Sequence, residues 1–407
     1  MRQLLVLLHR WLGLGTALFL FIAGATGAVI SWDHELDEWL NPALYEARSR
    51  GGEPMSPLAL AARVEQADPR VRVTFMPLAL APGGAFTAFV APRVNPATGQ
   101  LHEPGYNQVA LDPVTGEVQA RRMWGEVSLS RENLLPFLYK LHYSMHIPAT
   151  ASGVELGLWF MGLVAIVWLF DTLIALSISF PRREQWRRSF AFRWKAGGHK
   201  LTFDLHRSGA MWVYLLVLML ALTSVAMNLR EQVVRPVVSW FSDLTPSPFA
   251  LRSPVAPAQA PEPQVGPQQV LASALALARQ RGIDAPAGGL FYSPEFGLWG
   301  VGFYEPGFSH GDGGLGNPWL YFDARTGEPA GADIPGTGSA GDLFLQSMFP
   351  LHSGRILGMP GRALMSAMGA LIAMLSVTGV LIWWRKRAAR RWSVAGARGG
   401  QALAAQP

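Results

Sequence analysis

Four apolar segments constrain this chain more than any other feature of its sequence. Each contains the roughly 20 mostly apolar residues that a membrane-spanning helix needs. They lie at about 12–31, 156–180, 209–229 and 363–384. Two long inserts, at about 33–150 and 231–358, separate them. The sequence therefore predicts a membrane α-helical protein with four spans, and it disfavours a large water-soluble enzyme.

The composition limits the chemistry that such a protein can perform. Half of the residues are hydrophobic and only 15% are charged, whereas soluble domains carry about 25% charged residues. The chain has no cysteine, which excludes disulfides, zinc–thiolate sites, iron–sulfur clusters and covalently attached c-type haem. A bound metal must therefore be held by histidine, carboxylate or methionine.

The distribution of basic residues predicts the orientation of the chain. The loop between the second and third spans, at about 181–208, carries eight Arg or Lys against two acids, and a second basic run, RKRAARRW, follows the fourth span. The positive-inside rule then predicts cytoplasmic termini, a cytoplasmic middle loop and two periplasmic inserts in a bacterial inner membrane. The net charge of +6 thus reflects topology and does not indicate a nucleic-acid site.

The two inserts have the composition of small α+β domains. Each is rich in Pro and Gly and contains short β-like runs such as VRVTFMPLAL and WLYFDA, and the Pro/Ala-rich stretch 246–268 predicts an extended linker. A cleaved signal peptide is the alternative interpretation of the first apolar segment. The predicted divisions are 1–32, 33–150, 151–180, 181–208, 209–230, 231–358, 359–385 and 386–407.

Three pairs of matching segments predict an internal duplication of span, insert and span. LHRWLGLGTALFLF matches LHRSGAMWVYLLVL, LDPVTGEV matches FDARTGEP, and PFLYKLHYSMH matches FLQSMFPLHSG. Each D-x-x-T-G-E stretch is typical of a strand that ends in a tight turn. Asp112 precedes His142 by 30 residues, and Asp323 precedes His352 by 29. The matched spacing is stronger evidence for a duplication than any one of the motifs.

Histidines at equivalent positions of the two copies predict metal ligands. His9 and His206 precede the first and third spans, whereas His142 and His352 precede the second and fourth. Histidine is rare near membrane cores unless it has a function. Two imidazoles from facing helices can take both axial positions of a haem iron, so one haem near each leaflet would carry electrons across the bilayer. Anchoring of helix ends is the alternative interpretation.

The other histidines carry weaker signals. His146 lies four residues after His142, so both can share one helical face. His146 is therefore predicted either to replace His142 as a ligand or to lie beside it near the metal. The remaining histidines are interpreted as structural or surface groups. They are His34, His102, His199 and His310.

Asp171 lies inside the second span, where burial of a lone carboxylate is costly. It is expected to hydrogen-bond a ligand histidine or to relay protons during quinol oxidation. The alternative is a helix–helix hydrogen bond to Thr26, Thr223 or Ser224. Four arginines near the spans are candidates for pairing with haem propionates, with positive-inside charge as the alternative. They are Arg10, Arg207, Arg355 and Arg362.

Several familiar enzyme motifs are missing from the sequence. The glycine-rich stretch 311–318 matches no phosphate loop and predicts a flexible loop. We find no Rossmann fingerprint, no flavin site, no G-x-S-x-G and no H-E-x-x-H, which argues against a hydrolase and against direct use of NAD(P)H. The electron donor is therefore expected to be external.

LHRWLGL, followed by a span and ELDEWLNP, resembles the start of the PepSY-associated transmembrane family, and the D-x-x-T-G-E stretches resemble its outside domains. FLYKLHYSMH and FDLHRSGAMW, with the spans that follow them, are similar to its FoxB-type ferric-siderophore reductases. The resemblance covers nearly the whole chain. It implies two b-type haems, with the family's membrane-edge histidines at His9, His142, His206 and His352. It also implies reduction of periplasmic ferric siderophores. We expect the external donor to be a quinol or a soluble flavin reductase.

Two other functions remain open at the level of the sequence. PepSY-like domains resemble inhibitory propeptides of secreted proteases, so a haem-free, membrane-anchored regulator of a protease or signalling partner is the first alternative. An iron or siderophore transporter is the second, although four spans are few and no broken helix is evident. The sequence identifies no particular siderophore, donor, oligomeric state or substrate-binding residue.

Overall fold

The computed structural model describes four stretches of the chain, 1–150, 153–180, 183–311 and 313–404. The predicted boundaries at residues 151 and 181 lie outside the described residues, as do residue 312 of the glycine-rich loop and residues 405–407 of the basic tail. The described part consists of a helical bundle and one β-sheet formed by the two inserts.

Three helices are long and apolar enough to cross a membrane. They are α1 (Arg2–Ile30), α6 (Leu156–Ser179) and α12 (Met359–Ala404). A fourth span requires α7 (Gly198–Trp212) and α8 (Tyr214–Asn228) together, and this pair is bent by 75°. Alone, α8 would extend about 22 Å, which is less than the roughly 30 Å of a bilayer core. The structure therefore contains three candidate spans, or four if the bent pair counts as one.

The bend in the third span corrects the expectation that no helix is broken. Val213 has φ −118° and ψ 23° and separates the two helices. On one side of the break α7 packs against α12, and on the other side α8 packs against α6. A single straight helix could not pack against both α12 and α6 in this way. Because the bend depends on tertiary contacts, the local pattern of apolar residues does not predict it.

The two repeats interlock within the bundle. The first long helix of the chain, α1, packs against α12, and α8 packs against α6, so each contact joins one repeat to the other. A Cβ atom at Gly24 would lie 2.6 Å from the carbonyl oxygen of Gly369, and the reverse distance is also 2.6 Å. Small residues permit such close approach of helices in membranes. The bundle is therefore one unit and not two repeats side by side.

The strands of both inserts form a single antiparallel sheet of eight strands, in the order β4-β3-β2-β1-β5-β6-β7-β8. The two halves meet where β1 pairs with β5, with Phe75 opposite Phe291. The inserts predicted as two α+β domains thus share one sheet. The strands are β1 (Val71–Pro77), β2 (Phe86–Pro92), β3 (Gln108–Leu111), β4 (Val118–Arg122), β5 (Ala287–Ser293), β6 (Leu298–Phe303), β7 (Trp319–Asp323) and β8 (Pro329–Asp333).

The other α-helices of the described residues are shorter. They are α2 (Asp33–Leu40), α3 (Pro42–Tyr45), α4 (Pro57–Ala67), α5 (Leu134–Ser144), α9 (Arg235–Val238), α10 (Pro267–Gln280) and α11 (Ala340–Ser353). Two of them, α4 and α10, build the core of the sheet with the strands. Leu60 of α4 and Val270 of α10 are fully buried in one cluster with Phe86 and Phe322 of the strands. The stretch 246–268, predicted as an extended linker, contains turns, irregular backbone and a short 3-10 helix before α10 begins at Pro267.

The duplicated D-x-x-T-G-E stretch forms the same turn in both halves of the sheet. Asp112 Oδ1 accepts hydrogen bonds from the backbone N–H groups two and three residues later, at 2.9 and 3.0 Å. Asp323 Oδ1 accepts the equivalent pair, both at 2.8 Å. The two copies of the duplicated segment thus form the same hydrogen bonds in the structure.

Candidate functional site

Four histidines form two facing pairs inside the bundle. The ring centroids of His9 and His206 lie 6.2 Å apart, with their planes tilted by 51°. Those of His142 and His352 also lie 6.2 Å apart, with a tilt of 59°. Each pair takes one histidine from each repeat, so neither copy of the duplicated unit contains a complete site. The structure brings these residues together in the same two pairs that the sequence predicts.

The pair nearer the sheet, which we call the outer pair, is anchored by two equivalent threonines. Nδ1 of His142 lies 3.3 Å from Oγ1 of Thr26, and Nδ1 of His352 lies 3.0 Å from Oγ1 of Thr223. Each threonine follows the first histidine of its own repeat by 17 residues. From the sequence alone, both threonines are expected only as alternative partners of Asp171. Their matched spacing is the signal that would have identified this role.

The pair nearer the termini, which we call the inner pair, is anchored unequally. Nδ1 of His9 lies 2.9 Å from Oδ1 of Asp171. Nδ1 of His206 lies 3.0 Å from the carbonyl oxygen of Leu375 and 3.1 Å from Oγ1 of Thr378. Asp171 and Thr378 occupy equivalent positions, nine residues after a helix glycine in each repeat. Asp171 therefore contacts a candidate ligand, and its alternative threonine and serine partners make no hydrogen bond to it in the described residues.

The partners of Nδ1 determine which nitrogen of each ring is protonated. Carboxylate and carbonyl oxygens only accept hydrogen bonds, and the three threonine hydroxyls donate their own protons to the carbonyl four residues earlier. Each Nδ1 therefore carries the proton, which leaves the Nε2 lone pair for a metal. Within the described residues, no hydrogen bond involves Nε2 of these four rings.

The spacing of the rings fits one metal ion between the members of each pair. Two imidazoles on opposite sides of one iron, with metal–nitrogen bonds of about 2.0 Å, have ring centroids about 6 Å apart. Two glycines make room for the rings. A Cβ atom at Gly27 would lie 2.9 Å from Cε1 of His142, and one at Gly379 would lie 3.1 Å from Cε1 of His206. Larger residues at these glycines would displace the imidazoles.

Each histidine pair lines a cavity. The inner cavity has a volume of about 1020 Å³ and the outer cavity about 340 Å³. Leu20, Trp168 and Ile372 line both cavities and therefore separate them. Six basic side chains line the inner cavity. They are Arg2, Arg10, Arg207, Lys386, Arg387 and Arg390.

The predicted propionate-binding arginines differ in their partners. The Nε atom of Arg207 is buried and has no hydrogen-bond partner among the described residues, which suits an anionic group in the inner cavity. At the outer cavity, Arg362 donates to both carboxylate oxygens of Glu35 at 2.6 and 2.7 Å. These hydrogen bonds lower the pKa of Glu35. Arg355 makes a longer contact, 4.0 Å, with the carboxylate of Asp33. Because this contact is weaker than that of Arg362 with Glu35, Arg355 is better placed to bind an added anion.

His146 does not join the outer pair. The helix α5 ends at Ser144, and both Met145 and His146 have positive φ angles, of 53° and 54°. The four-residue helical spacing from His142 is therefore interrupted. His146 instead stacks on the ring of Phe137 at 4.7 Å, and its Nε2 lies 2.9 Å from the carbonyl oxygen of that residue. The geometry favours His142 over His146 as the ligand.

The remaining histidines lie apart from the pairs, with one exception. His199 is exposed near the start of α7, and His34 packs edge-to-face on Tyr45 at 5.4 Å. His102 lies in the connection between β2 and β3. His310 is exposed on its loop, as predicted, but it also lines the outer cavity. No local pattern could have placed it there. In the described part of the chain, no three His, Cys, Asp or Glu residues cluster as a metal site.

Comparison with known families agrees with this architecture. The model of the PepSY-associated TM region matches residues 6–386, which is most of the chain. The protein therefore belongs to the PepSY-associated transmembrane family, as the sequence motifs predict. No curated protein matches the chain. Family membership, the apolar helices and the sheet together identify a membrane protein with several candidate spans.

Proposed function

We propose that this protein is a bacterial inner-membrane electron conduit with two b-type haems, which reduces ferric siderophores on the periplasmic side. The two histidine pairs carry the proposal, because each spans 6.2 Å between repeats and lines its own cavity. His9 and His206 would hold the inner haem, and His142 and His352 the outer one. The absence of cysteine makes both attachments non-covalent.

Residues of the chain would hold the two haems in place, neutralise their carboxylates and separate them from each other. When bound, haem supplies reversible one-electron transfer. The Nδ1 hydrogen bonds orient the four rings and set their tautomers. Arg10 and Arg207 would pair with carboxylates of the inner haem, and Arg355 with those of the outer haem. The shared wall of the two cavities excludes water between them. It consists of Leu20, Trp168 and Ile372.

The direction of transfer follows from the predicted orientation of the chain. The basic loop and tail are expected in the cytoplasm and the sheet in the periplasm. Electrons would come from an external donor, a quinol or a soluble flavin reductase, and would leave from the outer site to Fe(III). Reduction to Fe(II) weakens binding by hard oxygen chelators, so iron would be released from the siderophore.

A haem count on the detergent-purified full chain, expressed with adequate haem supply, tests the proposal. The pyridine haemochrome assay should give two b-type haems per chain. His352→Ala should remove one haem and abolish reduction of a ferric siderophore. His146→Ala is the matched control, because His146 follows α5 but lines neither cavity and hydrogen-bonds to the carbonyl oxygen of Phe137, and it should retain both haems.

Three outcomes would contradict the proposal. Two haems and full activity in His352→Ala would refute the outer pair as ligands. A wild-type protein purified without haem would refute the proposed electron conduit. It would favour the haem-free regulator of a protease or signalling partner. Siderophore uptake by vesicles without a reductant would favour a transporter, for which the bent pair α7–α8 would be the broken helix at the transport site.

A further inference from the structure

The connections that follow β2 and β6 depart from the internal symmetry of the sheet. The connection between β2 and β3 covers residues 93–107, and the connection between β6 and β7 covers residues 304–318. Both have the same length and join equivalent strands of the two repeats. They nevertheless contact different parts of the molecule. This difference indicates where an electron acceptor would bind.

The first connection is held on the side of the sheet that α4 covers. Its first residue, Arg93, donates to Glu65 of α4 at 2.7 Å and to Glu262 at 3.1 Å. Val94 and Leu101 then pair as an isolated β-bridge, so the connection folds into a small hairpin. His102 at the end of this hairpin lines neither histidine cavity.

The second connection reaches the helical bundle instead. The backbone N–H of Gly314 donates to the carbonyl oxygen of Ile356 at 3.1 Å, and Nη1 of Arg355 lies 3.5 Å from the carbonyl oxygen of Gly311. Asn317 closes the loop by donating to the carbonyl oxygen of Phe308 at 2.7 Å. These contacts place one loop of the sheet, and not its symmetry mate, over the outer cavity.

The loop brings His310 into a group of polar side chains at the mouth of the outer cavity. His310 packs near Phe349 of α11, with ring centroids 6.3 Å apart. Arg355 and Asp33 lie beside it in the same cavity lining. Tyr139 and Tyr143 complete the group, with ring centroids 6.0 Å apart. Both histidines of the outer pair line this cavity as well, so a ligand at the mouth would lie next to the predicted electron exit.

Apart from the carboxylate of Asp33, which lies 4.0 Å from Arg355, the side chains of this group suit an anionic chelate of ferric iron. Arg355 and His310 supply N–H donors for the charged oxygens of a chelator, in hydrogen bonds strengthened by charge. Tyrosine hydroxyls add neutral donors, and their rings offer flat apolar surface. We propose that His310, Arg355, Tyr139 and Tyr143 form the docking site for an anionic, oxygen-donor ferric chelate beside the outer histidine pair.

The inference rests on the proposed electron conduit for its redox step, but the docking itself is independent of it. His142 and His352 would hold the group that supplies one electron to the chelated Fe(III), which would become Fe(II), and the external donor would replace that electron. No covalent bond forms or breaks in this transfer. A redox-inert analogue of the chelate should therefore bind at the same site without being reduced.

Binding of gallium(III) citrate to the detergent-purified full chain tests the docking site. Calorimetry should show binding to the wild type and about tenfold weaker binding to His310→Ala, the loss expected for one hydrogen bond to a charged group. Tyr139→Phe should also weaken binding. His102→Ala is the matched control on the equivalent loop of the first repeat, and it should bind as the wild type does. Haem content and absorption spectra should be the same in all four proteins.

The same variants separate docking from electron transfer. After reduction with dithionite, reoxidation by ferric citrate should be slower in His310→Ala than in His102→Ala. Equal gallium affinity in these two variants, or no binding to the wild type, would overturn the docking site while leaving the conduit intact. Gallium binding to a protein that contains no haem would support the docking site and refute the conduit instead.

Discussion

At the scale of single residues, the unequal anchoring of the inner pair is the most informative feature. His9 donates to the carboxylate of Asp171, whereas His206 donates to neutral oxygens, one of them on the equivalent residue Thr378. A carboxylate partner makes an imidazole a stronger electron donor to its metal. The duplicated scaffold thus holds two histidines at equivalent positions in different electrostatic settings.

Replacing Asp171 with Thr should raise the reduction potential of the inner haem, because the ring of His9 would lose its negatively charged partner. A shift of about 59 mV would correspond to a tenfold change in the one-electron equilibrium. Thr378→Asp should shift the potential in the opposite direction. Spectroelectrochemical titration measures both, and unchanged potentials in both variants, with two haems retained, would show that this hydrogen bond does not tune the site.

At the scale of secondary-structure elements, the turns after β3 and β7 depend on two carboxylates, that of Asp112, which is buried, and that of Asp323, which is partly exposed. Burial would raise the pKa of Asp112, but hydrogen bonds from the backbone N–H groups of Thr115, Ser49 and Val114 lower it to about 2. The same balance, with help from Arg252, lowers the pKa of Asp323 to about 2. Both turns therefore need an ionised carboxylate.

These carboxylates should make the sheet sensitive to acid. A group whose pKa is lower in the folded state stabilises the fold above its unfolded pKa, here about 3.8, and loses that contribution as the pH falls toward 2. Asp112→Ala should destabilise the protein at neutral pH by about 1–3 kcal/mol, since the backbone N–H groups of Ser49, Val114 and Thr115 lose their acceptor. Thermal unfolding followed by circular dichroism from pH 7 to pH 3 should show a smaller acid effect in the variant than in the wild type.

The contact between α1 and α12 depends on the absence of a side chain at Gly24. A Cβ atom there would lie 2.6 Å from the backbone of Gly369, which cannot move aside as a flexible side chain could. Gly24→Ala should therefore destabilise the bundle by about 1–3 kcal/mol. Gly15→Ala is the control on the same helix, since nothing lies within 4 Å of its added Cβ. Equal unfolding temperatures for the two variants in detergent would refute the close packing.

At the scale of the whole molecule, both histidine pairs and the sheet are built across the two repeats. His9 meets His206, His142 meets His352, and β1 pairs with β5. Neither half of the chain can therefore complete a bis-histidine site or close its own sheet edge. This arrangement explains why the duplicated unit functions as one protein.

Splitting the chain within the basic loop between α6 and α7 should test this dependence. Either half expressed alone should bind no haem, because each would supply only one ligand per site. Co-expression of the halves should restore both haems, since the contacts of α1 with α12 and of α8 with α6 cross the split. Absorption spectra of the purified membranes report the result. A single half that binds haem would contradict ligation between repeats.

The apolar segments, the family and the duplication are predictable from the sequence, because these depend on local composition and on motifs at fixed spacing. The sequence also singled out His9, His142, His206 and His352, since equivalent positions in a repeat are visible without a fold. Asp171 was marked by its charge in an apolar span, but its partner was not decided.

Which of these histidines and polar side chains lie in contact depends on the tertiary structure. It favoured His142 over His146, because α5 ends in left-handed backbone, and it bent the third span, because α7 and α8 follow different neighbours. It joined the inserts in one sheet through β1 and β5, and it placed His310 over the outer cavity. These features depend on contacts between residues far apart in the chain, and such contacts leave no periodic or local signal.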